Sequence, residues 1–595
     1  MSNTPHLPRR DEGHPYQDAT LPVEQRVEDL ISRMTLAEKA GQLFHQMIAM
    51  HPDGSTVERG DAAMMETDTT HIVTGQRLTH VNLLGQYAPR AMATWHNNLQ
   101  ALAAETRLGI PVTLSTDPRH SFTDNMGASF NAGAFSAWPE ALGFGALQDA
   151  EAVRRFADIM RREYVAVGFR TALHPQIDLA TEPRWSRQSG TFGSDAHITG
   201  KLVRAYVEGL QGQTLGKDSV SAMVKHFPGG GAQLDGEDPH FPWGREQVYP
   251  GGMRDYHLAP FKEAIAAGCA QMMPYYGMPV GTDWEEVGFG INQGVVTGLL
   301  RQQLGFDGIV CTDWGLVTDQ DIFGERHQAR AWGLEGLPPL EKAYRVLQAG
   351  CDQFGGESCP ELIIELVEAG RVPESRLDAS LRRILRQKFT LGLFDEQRYV
   401  DPDLAEETVG HADFVAEGAA VQRRSLTVLV NKDSVLPIAR RPKVYIQNFP
   451  TALVEQYADV VGTPAEADFA LLRLRTPYEP RANRFESHFH GGTLAFTPEV
   501  LKPLLAVMEQ VPTIVCLNLE RPAVIPEIAE NAAALMTDYG ASLDALLDVV
   551  FGKATPEGRL PFELPRSMEA VRAARSDVPN DTENPVFAYG YGLSL

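Results

Sequence analysis

At 595 residues the chain is too long for one ordinary domain and long enough for two or three well-buried cores. Its 43% apolar and 22% charged content is that of a soluble globular protein, and the formal charge of -24 argues against nucleic acid or an anionic membrane surface, both of which need a basic face. A neutral ligand stays open. Cys269, Cys311, Cys351, Cys359 and Cys516 are scattered and odd in number, which reads as reduced core thiols rather than a disulfide frame. Residues 1–20 carry no apolar signal region and no run approaches the roughly eighteen apolar residues of a membrane span, so a cytoplasmic protein is expected.

The first element is amphipathic: Val23, Val27, Leu30, Ile31 and Met34 fall at helical spacing, and Thr35-Leu36-Ala37-Glu38 is a capping box that restarts a helix after a turn. Residues 50–75 lose periodicity and read as a loop or lid. A regular alternation follows. Helical runs at 91–106, 148–167, 196–212, 257–267, 293–304 and 341–347 each lead into an apolar strand, at 110–117, 169–180, 222–226, 271–276, 308–315 and 351–354. Six such units over about 300 residues imply a parallel sheet and favour a closed barrel over an open sheet.

Asp117, Asp178, Lys225, His226, Tyr276 and Asp313 all lie at or just past the C-terminal ends of their predicted strands. One such residue could be a helix cap; on successive units of a barrel they form a ring facing one pocket. The stretch Gly308-Ile309-Val310-Cys311-Thr312-Asp313-Trp314-Gly315 stands out, a buried strand ending on a carboxylate with an indole beside it, a pairing that suits sugar chemistry. The glycines after Lys225-His226-Phe227-Pro228 do not open into a helix, which argues against a phosphate cradle. No pair among His174, His226, His240 and His490 has the short spacing of zinc ligands, so neither metal nor cofactor is expected.

After a helix at 374–391, the acidic segment 395–413 with Pro402 reads as a linker. Strands at 426–430, 444–447, 469–474 and 513–519, with helices near 498–509 and 542–550, then form a smaller α/β sandwich covered on both faces. The expected division is a barrel over 1–394, a linker over 395–415 and the sandwich over 416–595.

Taken together, the stretches Gly109-Ile110-Pro111 to His120, Glu182-Pro183-Arg184-Trp185-Ser186-Arg187, Lys225-His226-Phe227-Pro228-Gly229, Asp313-Trp314, Gly558-Arg559-Leu560-Pro561-Phe562 and Tyr589-Gly590-Tyr591-Gly592-Leu593 resemble glycoside hydrolase family 3 over nearly the whole chain, in the family's order. The resemblance implies a (β/α)8 TIM-type barrel followed by an α/β sandwich, and an exo-acting, retaining β-glycosidase. It makes Asp313 the nucleophile and Trp314 its stacking neighbour, with Asp117, Arg187, Lys225, His226 and Tyr276 holding the hydroxyls of the terminal sugar. Larger relatives add a fibronectin-like module; a compact two-domain enzyme is expected here.

The sequence departs from the family pattern at Ser121, which follows His120, and at Ser194, where an acidic residue is usual. The family's acid/base is variable: many glucosidases use a Glu in the second domain, whereas N-acetylglucosaminidases use an Asp-x-His dyad on the barrel. Asp238-Pro239-His240 has the dyad's form, displaced by two residues. Glu479 and Glu486 follow the strand at 469–474, and the second-domain loop is favoured, Glu479 first because it is nearer the strand end. The expected activity is β-glucosidase on short oligosaccharides or glycosides; β-N-acetylglucosaminidase, β-xylosidase and a non-catalytic sugar-binding protein on a hydrolase scaffold are the rivals. The partner is a small carbohydrate, without nucleic acid or membrane, and a homodimer is allowed.

Overall fold

The computed structural model describes residues 13–62, 65, 67–125 and 127–595; the remainder of the polar leader read over 1–20, and three positions of the loop read over 50–75, lie outside them. Eight parallel strands form the first domain: β1 Phe44–Ile48, β2 His80–Leu83, β3 Thr113–Thr116, β4 Phe169–Ala172, β5 Ser221–Phe227, β6 Gln271–Pro274, β7 Ile309–Val310 and β8 Phe354–Gly355. They pair in the order β8-β1-β2-β3-β4-β5-β6-β7, and a parallel bridge from Cys311 to Gln353 joins the two ends into a barrel. The six strands expected from residue 110 onward are all present. β1 and β2 were not foreseen, because their barrel-facing positions include His45, His80 and Asn82, polar residues that blur the apolar signature although each is buried.

The Thr35 capping box forms as read: Glu38 N donates to Thr35 Oγ1 at 3.3 Å and Thr35 N to Glu38 Oε2 at 2.8 Å. The run at 293–304 becomes a π-type helix, Gly294–Gln303. The acidic segment after residue 395 is not extended chain. It contains the helix Pro402–Thr408, capped by Asp401, which packs on the helices Pro89–Ala104 and Ala150–Val167. Only Ala405 of that helix is buried, which is why no apolar period announced it.

In the second domain six strands line up as Thr427–Asn431, Ala534–Asp538, Thr513–Asn518, Phe469–Arg475, Lys443–Gln447 and Asp459–Val460, with only the first antiparallel to its neighbour. Alternate residues serve opposite faces, Ala470, Leu472 and Leu517 entering one apolar core and Leu471, Ile514 and Cys516 the other. The first of these cores also takes in Leu142 and Ala146 of the helix Ala141–Leu147, so barrel and sheet share apolar surface.

The Gly558–Phe562 stretch joins the domains. Arg559 N donates to Ala146 O at 2.9 Å, and Ser194 N to Pro561 O at 2.9 Å. A Cβ on Gly193 would lie 2.3 Å from Pro561 O, and its φ of +103° is open chiefly to glycine. Asp577 accepts from Gly251 N and Met253 N at 2.7 and 2.8 Å. Each such bond contributes about 0.5–1.5 kcal/mol net, more where a carboxylate accepts, and together they hold the second domain over the carboxyl ends of the barrel strands.

Candidate active site

β7 delivers the central carboxylate. Ile309 and Val310 are buried, the strand stops where Cys311 bridges to Gln353, and Asp313 emerges at the rim only 7% exposed. Trp314 N donates to its Oδ1 at 2.9 Å. Among the described residues its Oδ2 is buried with no hydrogen-bond partner, 3.9 Å from His226 Nε2. The loop beyond is pinned by Glu357, which accepts from Val317 N and Thr318 N at 2.7 and 3.0 Å. The Trp314 ring occupies space that side chains at Gly355 and Gly356 would take, since a Cβ there would sit 2.6 and 2.5 Å from it. Tyr276 donates its phenol to Trp314 O at 2.7 Å, and Arg330 Nη1 reaches the same oxygen at 3.1 Å.

The ends of the neighbouring strands supply fixed charges. Lys225 Nζ donates to Asp117 Oδ1 at 3.1 Å, and Asn82 Nδ2 to Asp117 Oδ2 at 3.0 Å. His226 Nδ1 lies 2.7 Å from Asp178 Oδ2, while Asp178 Oδ1 accepts from His226 N and Gly230 N. Burial, followed by the nearby Arg187 guanidinium, drives the His226 imidazole well below its usual range. Burial also raises Asp178, to about 6. At neutral pH the pair is therefore a carboxylate accepting from a neutral ring whose Nε2 is left as an acceptor, suited to a sugar hydroxyl proton. Arg187 is buried and reaches Gln176 Oε1 at 3.4 Å. Burial alone would lower its guanidinium; Tyr275 and the carboxylates of Asp238, Asp313 and Asp178 outweigh this and raise it.

Asp117, Arg187, Lys225, His226, Tyr276, Asp313 and Trp314 line one cavity of about 140 Å³. The proposed nucleophile and all six residues expected to hold the sugar or stack beside it thus come together. Two segments roof them. The first is the hairpin Gln320–Ile322 to Glu325–His327, whose Gln320, Asp321, Ile322 and Phe323 line the cavity. The second is the second-domain loop around 478–490, which brings in Phe485. Phe485, Phe489 and Phe241 pack together with Ile322 and Phe323, and Arg484 lies 4.3 Å over the Phe323 ring, so the roof is sealed by contacts between domains.

The remaining candidates part company. Neither Glu479 nor Glu486 is among the residues that line the cavity; the Glu479 side chain is 55% exposed and its Oε1 accepts from Thr493 N at 3.1 Å. Glu486 follows Phe485 directly, is 8% exposed, and lies 3.6 Å from Arg481 Nε. Burial lifts its carboxyl above the usual range, Arg481 opposing and Glu237 and Asp238 adding to the rise. His240 does line the cavity, with Nδ1 2.6 Å from Asp238 Oδ1. Burial lowers His240 despite Asp238. Asp238 itself accepts from Trp185, Ser186 and His240 and is held at about 2, burial being overcome by His240 and Arg187.

Arg330, Asn82 and the Gln320–His327 hairpin were missed. Arg330 donates to His240 O and Trp314 O and lines the cavity from an irregular segment, where no periodicity marks a residue as inward. The two departures from the family pattern fall outside the cavity with Asp313. His120 Nε2 sits 2.9 Å from buried Glu163, and Ser194 joins the domains through Pro561 and Asn580.

A parallel barrel whose strand ends converge on one carboxylate, flanked by an indole and by charges spaced for hydroxyl groups, defines a glycoside hydrolase. The model of the glycosyl hydrolase family 3 N-terminal domain matches residues 35–387 and that of the family's C-terminal domain residues 454–595; the chain belongs to glycosyl hydrolase family 3. It is 51% identical to beta-glucosidase C of Emericella nidulans, covering 100% of this chain and 96% of that one. It is 41% identical to a periplasmic beta-glucosidase/beta-xylosidase of Dickeya chrysanthemi, covering 98% and 91%. In fold it resembles a β-glucosidase from Erythrobacter marinus, with a TM-score of 0.79 at 22% identity over 98% of this chain and 84% of that one. A β-glucosidase from Listeria innocua in complex with isofagomine gives 0.75 at 22% identity over 96% and 83%.

Proposed function

We propose that the protein is an exo-acting, retaining β-glucosidase that releases the terminal glucosyl residue of short oligosaccharides or glycosides. The observation that carries this is Asp313 Oδ2, a buried carboxylate oxygen with no hydrogen-bond partner among the described residues, in the cavity it shares with Asp117, Arg187, Lys225 and His226. The Emericella relative, named beta-glucosidase C at 51% identity, favours glucose as the sugar. In this reading Asp313 attacks the anomeric carbon, the bond to the leaving oxygen breaks, and a glycosyl ester forms; water then cleaves the ester. Lys225, Asp117, Arg187 and the His226 Nε2 lone pair grip the ring hydroxyls as the ring flattens.

We assign the acid/base to Glu486. A general acid must hold a proton near neutral pH, and burial raises the Glu486 carboxyl toward that condition. Asp238, held at about 2, has no proton to give, and His240, lowered by burial with Nδ1 turned to Asp238, presents an unprotonated Nε2 to the cavity. A dyad reading remains the second choice because His240 lines the cavity. We also infer a cytoplasmic setting, on five unpaired and buried thiols. Incubation with a 2-fluoro β-glucoside tests the activity: a mass increase of one fluoroglucosyl group, absent in Asp313→Asn, is expected. An unlabelled wild-type chain that also fails to turn over nitrophenyl β-glucoside would sink the assignment.

A further inference from the structure

A second cavity, of about 1050 Å³, lies between the domains. Arg187 and Lys225 line both cavities, so these two side chains stand between the pocket at Asp313 and the larger chamber. On the second-domain side it is lined by Asn448, Arg475, Asn518 and Asp538, each at or just after the carboxyl end of a strand that pairs in parallel with a neighbour. Ligands of open α/β sheets bind outside the carboxyl ends of the strands, and cavities of about 300–1,000 Å³ are of ligand-site size. Apart from Arg187 and Lys225, none of the residues given a part in the hydrolytic reaction lines this chamber.

Its chemistry points to a neutral, hydroxyl-rich ligand. Of the acidic groups in its lining, Asp538 is fully buried, paired with Arg473 and receiving Asn518 Nδ2 at 2.9 Å, Glu520 lies 2.8 Å from His490 Nδ1, and Glu140 accepts from Phe122 N and Thr123 N, which leaves the exposed Asp124. Asn448 is fixed by donating to Arg473 O at 2.9 Å. By contrast, among the described residues Arg475 makes no side-chain hydrogen bond or ion pair and is exposed, leaving its donors available to a ligand. From the barrel side the lining includes Phe122, 38% exposed, an aromatic side chain of the kind that covers the apolar side of a sugar ring.

We propose that this interdomain chamber is a second saccharide-binding site, distinct from the pocket at Asp313 and taking glucose or a short glucoside between Phe122 and Arg475. The class of ligand rests on the β-glucosidase reading; the existence of the site rests on the chamber. Calorimetric titration of the full chain with D-glucose tests it, before and after the Asp313 pocket has been blocked with a 2-fluoro β-glucoside. The blocked wild type is expected to keep one equivalent of glucose binding. Arg475→Ala and Phe122→Ala, both at exposed positions, should each weaken that residual binding about tenfold while holding kcat/KM on nitrophenyl β-glucoside within about threefold, since neither touches the sugar in the Asp313 pocket. A blocked wild type that binds no glucose overturns the proposal, as does residual binding unchanged in both variants. Failure of blocking and turnover together would strike the glycosidase reading instead, and glucose titration of the unblocked chain as one site would still count against the chamber.

Discussion

The floor and the roof of the Asp313 pocket are built by different means. The floor is set by strand ends: Asp117, Lys225, His226 and Asp313 lie at most a few residues past hydrogen-bonded sheet, and Lys225–Asp117 and His226–Asp178 are tied at 3.1 and 2.7 Å. The roof is set by loops, the Gln320–His327 hairpin and the second-domain segment around Glu486, which meet through the Phe323, Phe485 and Phe489 rings. A rigid barrel can aim a nucleophile within tenths of an ångström, whereas a roof closed by side-chain contacts can part to admit a substrate and release a product. The proposed roles follow this division, the nucleophile Asp313 on the floor and the proton donor Glu486 in the roof.

The sharpest break is Asp313→Asn. The amide fills the same volume, so the melting temperature should hold, but it cannot form the ester, and kcat should drop roughly 10⁴-fold or more within the far larger accelerations enzymes reach. A mutant keeping more than about a tenth of wild-type rate, only about 1.4 kcal/mol, would remove Asp313 from its role.

Glu486→Ala attacks the roof with a different signature. Poor leaving groups should slow by about 10² to 10⁴-fold while dinitrophenyl glucoside loses much less in its first step, because that phenolate departs unprotonated. Azide should restore turnover and yield a β-glycosyl azide. Rescue confined to His240→Ala or Asp238→Ala would move the acid to the barrel, and rescue in Glu479→Ala would revive the choice made from the sequence.

Lys225→Ala should cost about 1.5–3 kcal/mol in kcat/KM, or about 10- to 150-fold, because a hydrogen bond from a charged group to substrate is lost in a dry site. The anomer released should not change. Kinetics within twofold of wild type would place the sugar elsewhere.

The smallest effect is a shift in pH dependence. Glu486 must be protonated to act as the acid, so activity falls as pH rises through its pKa; Arg481 holds that pKa down against burial. Arg481→Met should raise the Glu486 carboxyl further and carry the alkaline limb of kcat/KM to higher pH, with little change on the plateau. An unmoved or lowered limb would show that Glu486 does not govern it.

Strands and the residues at their ends were legible because a buried parallel strand is a short apolar run with an abrupt polar stop, as at Ile309 to Asp313. The first two strands were not, since polar side chains such as His45 and Asn82 turn into the barrel. The choice between Glu479 and Glu486 could not be read at all: they lie seven residues apart in one irregular loop, yet one is more than half exposed and the other buried beside Arg481.

By itself the sequence determined the barrel, the sandwich domain and the ring of strand-end residues around Asp313, because periodicity and strand-end chemistry are local properties of the chain. Only the tertiary structure decided that Glu486 is buried while Glu479 is exposed, that Arg330 and Phe485 complete the Asp313 pocket, and that the domains enclose a second chamber. Those outcomes depend on contacts between segments far apart in sequence, such as Ser194 with Pro561 and Phe323 with Arg484, and burial, which raises the Glu486 carboxyl above its usual range, exists only once those contacts have formed.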